Sequence, residues 1–455
     1  MATERRSVIL GGIGTYLERL GPTWLASAIA AGPATMASLL VAGASFGYAL
    51  LWVVVLSAVL GTVGQYLAMR LGLLTEAGIV SVAERHLGSG WAWVLVVDAV
   101  VAAGLAQLVI MKTLAEVSAT IVASTGVGAA TATDPRLWGV AWAVILALGL
   151  AGGGYRFAEL GAKLLVSVVV CAFVAAAFVV PIDSAAAARG LAPAIPAGVD
   201  GALVAAGVLG GAVHITLLTM QSYTMRARGW TAHDADVATV DVVTSMIAAF
   251  GIFSLSVFLV AASVLPAAGV DPATIDGIQA ARTLGPVAGD YATWLFLGGL
   301  LGAAVSTLGG NTIVPPYLLA DKLGWERSTD DVRYRAVIAA VALASALGAF
   351  LEGTFFQLLV LTLAFGLVGT PFAIAVILFL LNDPDVVPET NSVPANVGGL
   401  VLFAVAVVLA GEFVQDELAT VTEPVSAFVV AFAAAMALAI VGLGGRYVRD
   451  CVGGR

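Results

Sequence analysis

Leu25-Ala-Ser-Ala-Ile-Ala-Ala-Gly-Pro-Ala-Thr-Met-Ala-Ser-Leu-Leu-Val-Ala42 is an apolar run of bilayer-spanning length, yet it is interrupted at Gly32-Pro33-Ala34-Thr35. A second run, Ala202 to Tyr223, is interrupted around Gly210-Gly211 and followed by His214-Ile215-Thr216. In lipid the backbone must satisfy its own N–H and C=O groups, so a broken spanning helix survives only where the freed groups face a cavity or a ligand. Matched interruptions in the two halves of a chain therefore predict a substrate site near the middle of the membrane.

Working outward, 60% of the 455 residues are hydrophobic and only 11% are charged, with a mean hydropathy of +1.03. That composition predicts an all-α integral membrane protein. Roughly twelve stretches approach the length a spanning helix needs. They lie near 22–43, 47–70, 90–115, 137–153, 157–181, 200–225, 238–266, 291–320, 335–351, 356–381, 397–411 and 424–445. None of the loops between them is large enough for a separate domain, so residues 1–455 read as one transmembrane unit. Met1 to Gly12 carries Arg5 and Arg6 without a short apolar run and cleavage site, and predicts no removable signal peptide.

Basic residues stay on the cytoplasmic side of a membrane protein. With both termini inside, Arg5, Arg6, Arg19, Arg70, Arg85, Arg156, Lys163, Arg226, Arg228, Lys322, Arg327, Arg333, Arg335, Arg446, Arg449 and Arg455 are cytoplasmic. Only Arg136, Arg189 and Arg282 fall opposite. The expectation is a multi-pass protein of the cell membrane, N-terminus and C-terminus in. Asp134, Asp183, Asp271, Asp276, Glu412 and Asp416 then lie outside, as solvated loop carboxylates or as a weak attractor of cations. Cys171 and Cys451 make neither a disulfide framework nor a metal site, and a net charge of −9 argues against nucleic acid as a partner.

Polar groups inside the spans are the candidates for function. Asp98, in Val-Val-Asp-Ala-Val-Val of the third helix, is costly unless it meets a wet cavity or a partner. Asp241, placed at the opening of the seventh helix, suits a dipole or gate-pairing role with Arg226, Arg228 or Arg156. Lys112 and Glu116, four apart, are expected to pair. His214 sits in the second interrupted helix, where a packing role and a ligand role both fit. Thr35, Thr216, Thr219, Gln221 and Ser222 bring neutral oxygens close to the interruptions, although hydroxyls also bond their own helix backbone. Asn311 on the eighth helix and Gly366 to Pro371 on the tenth are further polar or flexible points. Their spacing fits five helices followed by five more, with two at the end.

From residue 20 to about 385 the chain resembles the Nramp divalent-metal transporters of the amino acid–polyamine–organocation superfamily. The resemblance rests on Gly21-Pro22-Thr23-Trp24-Leu25-Ala26-Ser27 through Gly32-Pro33-Ala34-Thr35, Tyr48-Ala-Leu-Leu-Trp, Gln65-Tyr66-Leu67-Ala68-Met69-Arg70-Leu71-Gly72, the Asp241 segment and Pro371-Phe372-Ala373. It implies a LeuT-like fold of two inverted five-helix repeats (about 20–181 and 200–381) plus two helices (about 397–445). It also implies departures at the site. Gly32 stands where the family has its metal-binding Asp, and Thr35 where it has Asn. His214, Ile215 and Thr216 replace Met-Pro-His, Gln221 replaces a later His, and Gly104-Leu105-Ala106-Gln107 replaces the Asp-Leu-Ala-Glu of the proton pathway. No soft thioether is then expected to select transition metals.

The expected function is that of a secondary transporter without enzymatic chemistry: no P-loop, His-Glu-x-x-His or nucleophile elbow is present. The leading expectation is a hard divalent cation such as Mg²⁺, or Mn²⁺, moved by alternating access. Gly32, Thr35, His214, Thr216, Gln221 and Asn311 are the expected substrate contacts, and Asp98, Gln107 and Asp241 the coupling or gating groups. Thr35, His214 and Asp98 are the metal-ligand candidates. A small organic solute such as an amino acid, or a non-transporting sensor on the same scaffold, remains open. No resident cofactor is expected, a cation being cargo. The expected partners are the lipid bilayer and that small cation or solute.

Overall fold

The computed structural model describes residues 32–126, 133–152, 156–196 and 201–452. Residues 22–31, which include the first part of the expected first span and the Gly21–Ser27 stretch, lie outside the described residues, as do Arg5, Arg6, Arg19 and Arg455. Among the described residues every regular element is helical. Ten helical runs are long and apolar enough to cross a membrane, and Pro33–Phe46 and Pro135–Ala151 are shorter apolar helices. The protein is multi-pass.

α1 (Pro33–Phe46) starts where the sequence demands it. Gly32 is extended, with ψ at −177°, and Pro33 occupies the first turn, where its missing N–H costs nothing. α2 (Leu51–Thr75), the short α3 (Ile79–His86) and α4 (Ser89–Thr125) follow. At 37 residues α4 is about 55 Å long, so its ends project beyond the apolar layer. α5 (Pro135–Gly152), α6 (Arg156–Val179) and the short α7 (Ser184–Gly190) complete the first half. In the C-terminal half of α4, Lys112 Nζ meets Glu116 Oε1 at 2.6 Å, as its position four residues from an acid implies, and donates to Leu351 O at 2.8 Å.

The second half opens with α8 (Gly201–Val213) and α9 (Ile215–Ala227), which are separated by one non-helical residue, His214, with φ −51° and ψ 137°. The break therefore lies past Gly210-Gly211, which stay helical. Those glycines serve packing instead. All of α8 but Leu203 is buried, and its small residues let other backbones approach closely. A Cβ on Gly207 would stand 3.1 Å from Ser38 Oγ, and one on Gly211 2.7 Å from Thr35 Oγ1. Four apart, these two glycines seat α1 on one face of α8. A Cβ on Gly210 would stand 2.2 Å from Leu363 O of the tenth helix.

α10 (Ala235–Val243) passes through a π-helical stretch, Thr244–Gly251, into α11 (Ile252–Val264). Asp241 is consequently in the body of α10 and buried, not at the start of the helix. After a short capped helix, α12 (Gly277–Ala281), the eighth span is also broken: α13 (Ala292–Thr312) gives way to α14 (Val314–Leu323). Pro315 and Pro316 supply no N–H to the carbonyls of Asn311 and Thr312, four residues back. α15 (Val332–Ala344), α16 (Phe355–Leu381), α17 (Val393–Ala419) and α18 (Pro424–Val452) complete the chain.

Outward apolar side chains such as Leu148, Leu160, Leu164, Phe178, Leu400 and Leu438 are exposed, as a lipid-facing surface requires. Asp183 and Asp276, two of the carboxylates considered as cation attractors, cap α7 and α12. They have a local structural task.

Because α8 and α16 approach this closely at Gly210, Gly210→Ala should destabilise the protein by about 1–3 kcal/mol through overpacking. Gly104→Ala, which meets nothing within 4 Å, should leave stability unchanged or slightly raised. Thermal unfolding of both variants in the same detergent checks this, and equal melting temperatures would contradict it.

Candidate functional site

The start of α1 and two interrupted helices meet at one cavity of ≈ 200 Å³. Gly32, Pro33, Ala34 and Thr35 reach it from the start of α1; Gly211, His214, Thr216, Leu217, Met220, Gln221 and Thr224 from the α8–α9 break; and Thr307, Gly310, Asn311, Ile313 and Val314 from the α13–α14 break. Ala106 and Ile110 of α4 and Thr362 and Leu363 of α16 close the sides. All six expected substrate contacts, Gly32, Thr35, His214, Thr216, Gln221 and Asn311, are thus brought together. Asp98, Gln107 and Asp241 do not line it.

His214 is held from both sides. Its Nδ1 lies 2.8 Å from Thr216 Oγ1 and accepts the Thr216 N–H at 3.4 Å, so the imidazole caps the helix it precedes. Its backbone carbonyl accepts from Leu217 and Leu218 N–H at 2.9 and 3.2 Å. Its Nε2 is buried without a hydrogen-bond partner against Gly366, where a Cβ would stand only 2.0 Å away. One turn further along α16, Gly369 does the same for Asp98: a Cβ there would lie 1.9 Å from Oδ1. Asp98 is 1% exposed, facing the protein interior, and both its carboxylate oxygens are buried and unpartnered. Residues three apart on a helix present their Cβ positions ~5–6 Å apart, so the imidazole and the carboxylate occupy neighbouring notches of one helix. Thr370 Oγ1 ties the same stretch of α16 to the end of α8 by donating to Val213 O and Gly366 O, both at 2.9 Å.

Gln107 stands behind the cavity wall. Its Oε1 accepts from Asn311 Nδ2 at 3.1 Å, and its Nε2 donates to Thr312 Oγ1 at 2.7 Å. Asp241 is buried on α10, away from the cavity.

The lining is neutral: among the described residues that form it there is no carboxylate, Lys or Arg. Nor do the described residues contain a group of three or more His, Cys, Asp or Glu able to hold a metal ion. One expectation from the sequence needs correction. A thioether is present after all, because Met220 lies one turn after Thr216 on the cavity face of α9. Thr224, Thr307 and Thr362 were also missed, the signal being only their helical spacing from the residues named.

Beyond the cavity, the end of α9 is tied to α3 and α14. Asp321 accepts from Tyr223 Oη at 2.8 Å, from Ser81 N at 3.0 Å and from Ser81 Oγ at 2.6 Å. Ile79 N donates to Ser222 Oγ at 3.0 Å. Arg327 lies over the Tyr223 and Tyr317 rings at 5.5 and 5.9 Å, and Lys322 pairs with Glu84 at 2.7 Å.

This architecture matches solved transporters along nearly its whole length. A manganese transporter from Eremococcus coleocola, in complex with an aromatic bis-isothiourea substituted compound, superposes with a TM-score of 0.70 over 95% of this chain and 94% of that one, at 16% identity. MhsT in complex with L-phenylalanine gives 0.56 over 87% and 98%, also at 16% identity. The fold is LeuT-like: two inverted five-helix repeats and two further helices. In sequence, the divalent metal cation transporter MntH of Bacillus subtilis is 26% identical over 328 residues, 68% of this chain and 72% of that protein. MntH of Deinococcus radiodurans is 27% identical over 337 residues, 70% and 73%. The model of the natural resistance-associated macrophage protein-like family matches residues 23–416, and the chain belongs to that family, Nramp.

Proposed function

We propose that this protein is a secondary transporter that moves a hard divalent cation, Mg²⁺ foremost, through the cavity by alternating access, the ion keeping much of its water shell. The relatives named above as divalent metal cation transporters support the substrate class. The observation that carries the finer reading is the lining itself, which offers neutral oxygens from the start of α1 and two helix breaks and no charged ligand. Stripping water from a dication is repaid by anionic ligands, and neutral oxygens with one imidazole repay it poorly. Mg²⁺ dehydrates reluctantly and needs few direct protein ligands. A water needs about 10–15 Å³ of cavity volume, so ≈ 200 Å³ holds an ion with its whole first shell.

Thr35, Thr216, Gln221 and Asn311 serve as contacts to that shell, and Gly32 leaves room for it. His214 shapes the break and positions Thr216. Asp98 is the coupling candidate: a buried carboxylate without a partner, one notch along α16 from His214, is placed to take up and release a proton as the helices move. Asp241 and the Asp321 cluster are gating candidates. Arg70 near Glu389, Lys322 at Glu84, Arg327 at Asp321 and Arg446 at the His86 and Leu87 carbonyls gather basic residues of separate loops at one end. That end is the cytoplasmic one on the positive-inside rule, with both termini inside.

A small organic solute is the second reading, favoured by the apolar share of the wall, from Ile110, Leu217, Met220, Ile313, Val314 and Leu363. Proteoliposome uptake of Mg²⁺, Mn²⁺ and a mixture of amino acids, with and without a pH gradient, decides between them. Saturable Mg²⁺ uptake is expected. Amino acid uptake without uptake of either metal would reverse the order.

Two variants sharpen the reading. Gly32 has φ −71°, which any residue adopts, so Gly32→Asp sets a carboxylate at the mouth of α1 on the cavity wall. Calorimetric Mn²⁺ affinity should then rise at least about tenfold, equivalent to about 1.4 kcal/mol; no gain would show that the wall does not contact the ion. Asp98→Asn should abolish the stimulation of uptake by a pH gradient while leaving downhill Mg²⁺ exchange intact. Retained stimulation would remove Asp98 from coupling.

A further inference from the structure

The orientation of the buried amides on α4 and α13 is fixed by two backbone carbonyls. Ala103 O lies 2.7 Å from the Asn311 amide, and a carbonyl can only accept, so the atom facing it is Nδ2. At the other end of the chain of bonds, Thr312 Oγ1 donates its single proton to Leu308 O at 2.7 Å and must therefore accept from Gln107. That sets Gln107 Nε2 toward Thr312 and its Oε1 toward Asn311, where it takes the second Nδ2 hydrogen. Both N–H bonds of Asn311 are committed away from the cavity that the residue lines. Only Oδ1, an acceptor, remains to face it.

Three hydroxyls of the same wall have spent their protons too. Thr362 Oγ1 donates to Leu358 O and Thr224 Oγ1 to Gln221 O, both at 2.8 Å. His214 Nδ1, by accepting the Thr216 N–H, is the unprotonated nitrogen of its ring, so the Thr216 hydroxyl beside it donates as well. Each of these oxygens is left with lone pairs. Helix starts ordinarily offer N–H groups to anions, and three such groups are missing or taken here. Pro33 has no N–H, and those of Thr216 and Leu217 are taken by His214.

We infer that Gln107 is a positioning residue that locks Asn311 as an acceptor, and that the wall it completes selects ligands presenting several hydrogen-bond donors and a positive charge. An aquated Mg²⁺ ion, whose shell offers only O–H donors outward, is such a ligand; a carboxylate, which brings only acceptors, meets no donor at Asn311, Thr216, Thr224 or Thr362. The inference rests on the proposed function for the identity of the ion, but the acceptor character of the wall stands apart from it.

The test is a double-mutant cycle read by titration calorimetry of purified protein with MgCl₂, ethylammonium chloride and sodium acetate, alongside initial rates of Mg²⁺ uptake. Gln107→Leu frees the Asn311 amide to turn, and should weaken Mg²⁺ binding and raise the uptake KM about tenfold, the loss of one oriented hydrogen bond, with kcat little changed. Asn311→Leu should do the same, and the double variant no more than either alone. Gln107→Glu, which when protonated donates to Thr312 Oγ1 and still accepts from Asn311 Nδ2, should keep KM within about threefold of wild type. That rescue separates positioning from mere loss of packing, and keeps the test decisive if Gln107→Leu folds poorly. Binding of ethylammonium but not of Mg²⁺ by the wild type would end the Mg²⁺ reading and support the acceptor wall. Acetate binding, multiplying effects of the two leucine variants, or binding of none of the three salts would overturn the inference.

Discussion

Every backbone N–H and C=O inside a bilayer has to find a partner within the protein, and the site follows from how the start of α1 and two interrupted helices meet that demand. At α1, Pro33 removes one donor and Gly32 turns the chain. At the α8–α9 junction a side chain does the work: His214 Nδ1 replaces the carbonyl that Thr216 N–H would have met in an unbroken helix, while Thr370 Oγ1 serves the freed carbonyl of Val213. At α13–α14 the consecutive Pro315 and Pro316 take two donors away. Each solution leaves short polar backbone and Thr or Asn side chains at the same level, and the cavity is the volume that they enclose.

Glycine has the opposite task in this fold. Glycine weakens an isolated helix, which makes Gly210-Gly211 read as a break in the sequence; in lipid the helix holds and glycine sets the distance between backbones instead. Gly207 and Gly211 bring α1 onto α8, and Gly210 brings α16 to its other side. Gly366 and Gly369 admit the His214 ring and the Asp98 carboxylate where any larger residue would collide with them. The close packing of α8 and the seating of the two titratable groups are one device used on adjoining helices.

Much of this was legible beforehand because it depends on residue type alone. The helical spans, the start of α1 at Pro33, the Lys112–Glu116 pair and the interior position of Asp98 follow from apolar length, proline chemistry, helical spacing and the cost of a charge in lipid. The cavity residues Thr35, His214, Thr216, Gln221 and Asn311 were readable because polar groups beside a break have few other reasons to be there. What escaped depended on the third dimension. Met220 reads as one more apolar residue until α9 is rotated into place. Pro315-Pro316 passes unremarked inside the apolar stretch 291–320, and Asp241 reads as a helix start because the residues before it are polar. Gln107 and Asn311 lie far apart in sequence, and only the packing of α4 on α13 shows that they share a proton ledger.

The neutral wall also bears on how cargo and coupling stay separate. A carboxylate inside the cavity would bind a bare dication strongly and would also compete for protons, fusing the two roles. Here the carboxylate is displaced from the cavity: Asp98 lies eight residues, about 12 Å along α4, from Ala106 at the wall, and it meets α16 one turn from the His214 notch. α16 is held to α8 through Thr370 and to the break through His214, while α9 is tied at its far end to Asp321. A rearrangement of α9 that opens the cavity on that side must break the bonds to Asp321 and shift the ring seated on Gly366, and so disturbs the surroundings of Asp98 without any contact between cargo and carboxylate. In the proposed mechanism, coupling runs through shared helix seats rather than through shared ligands.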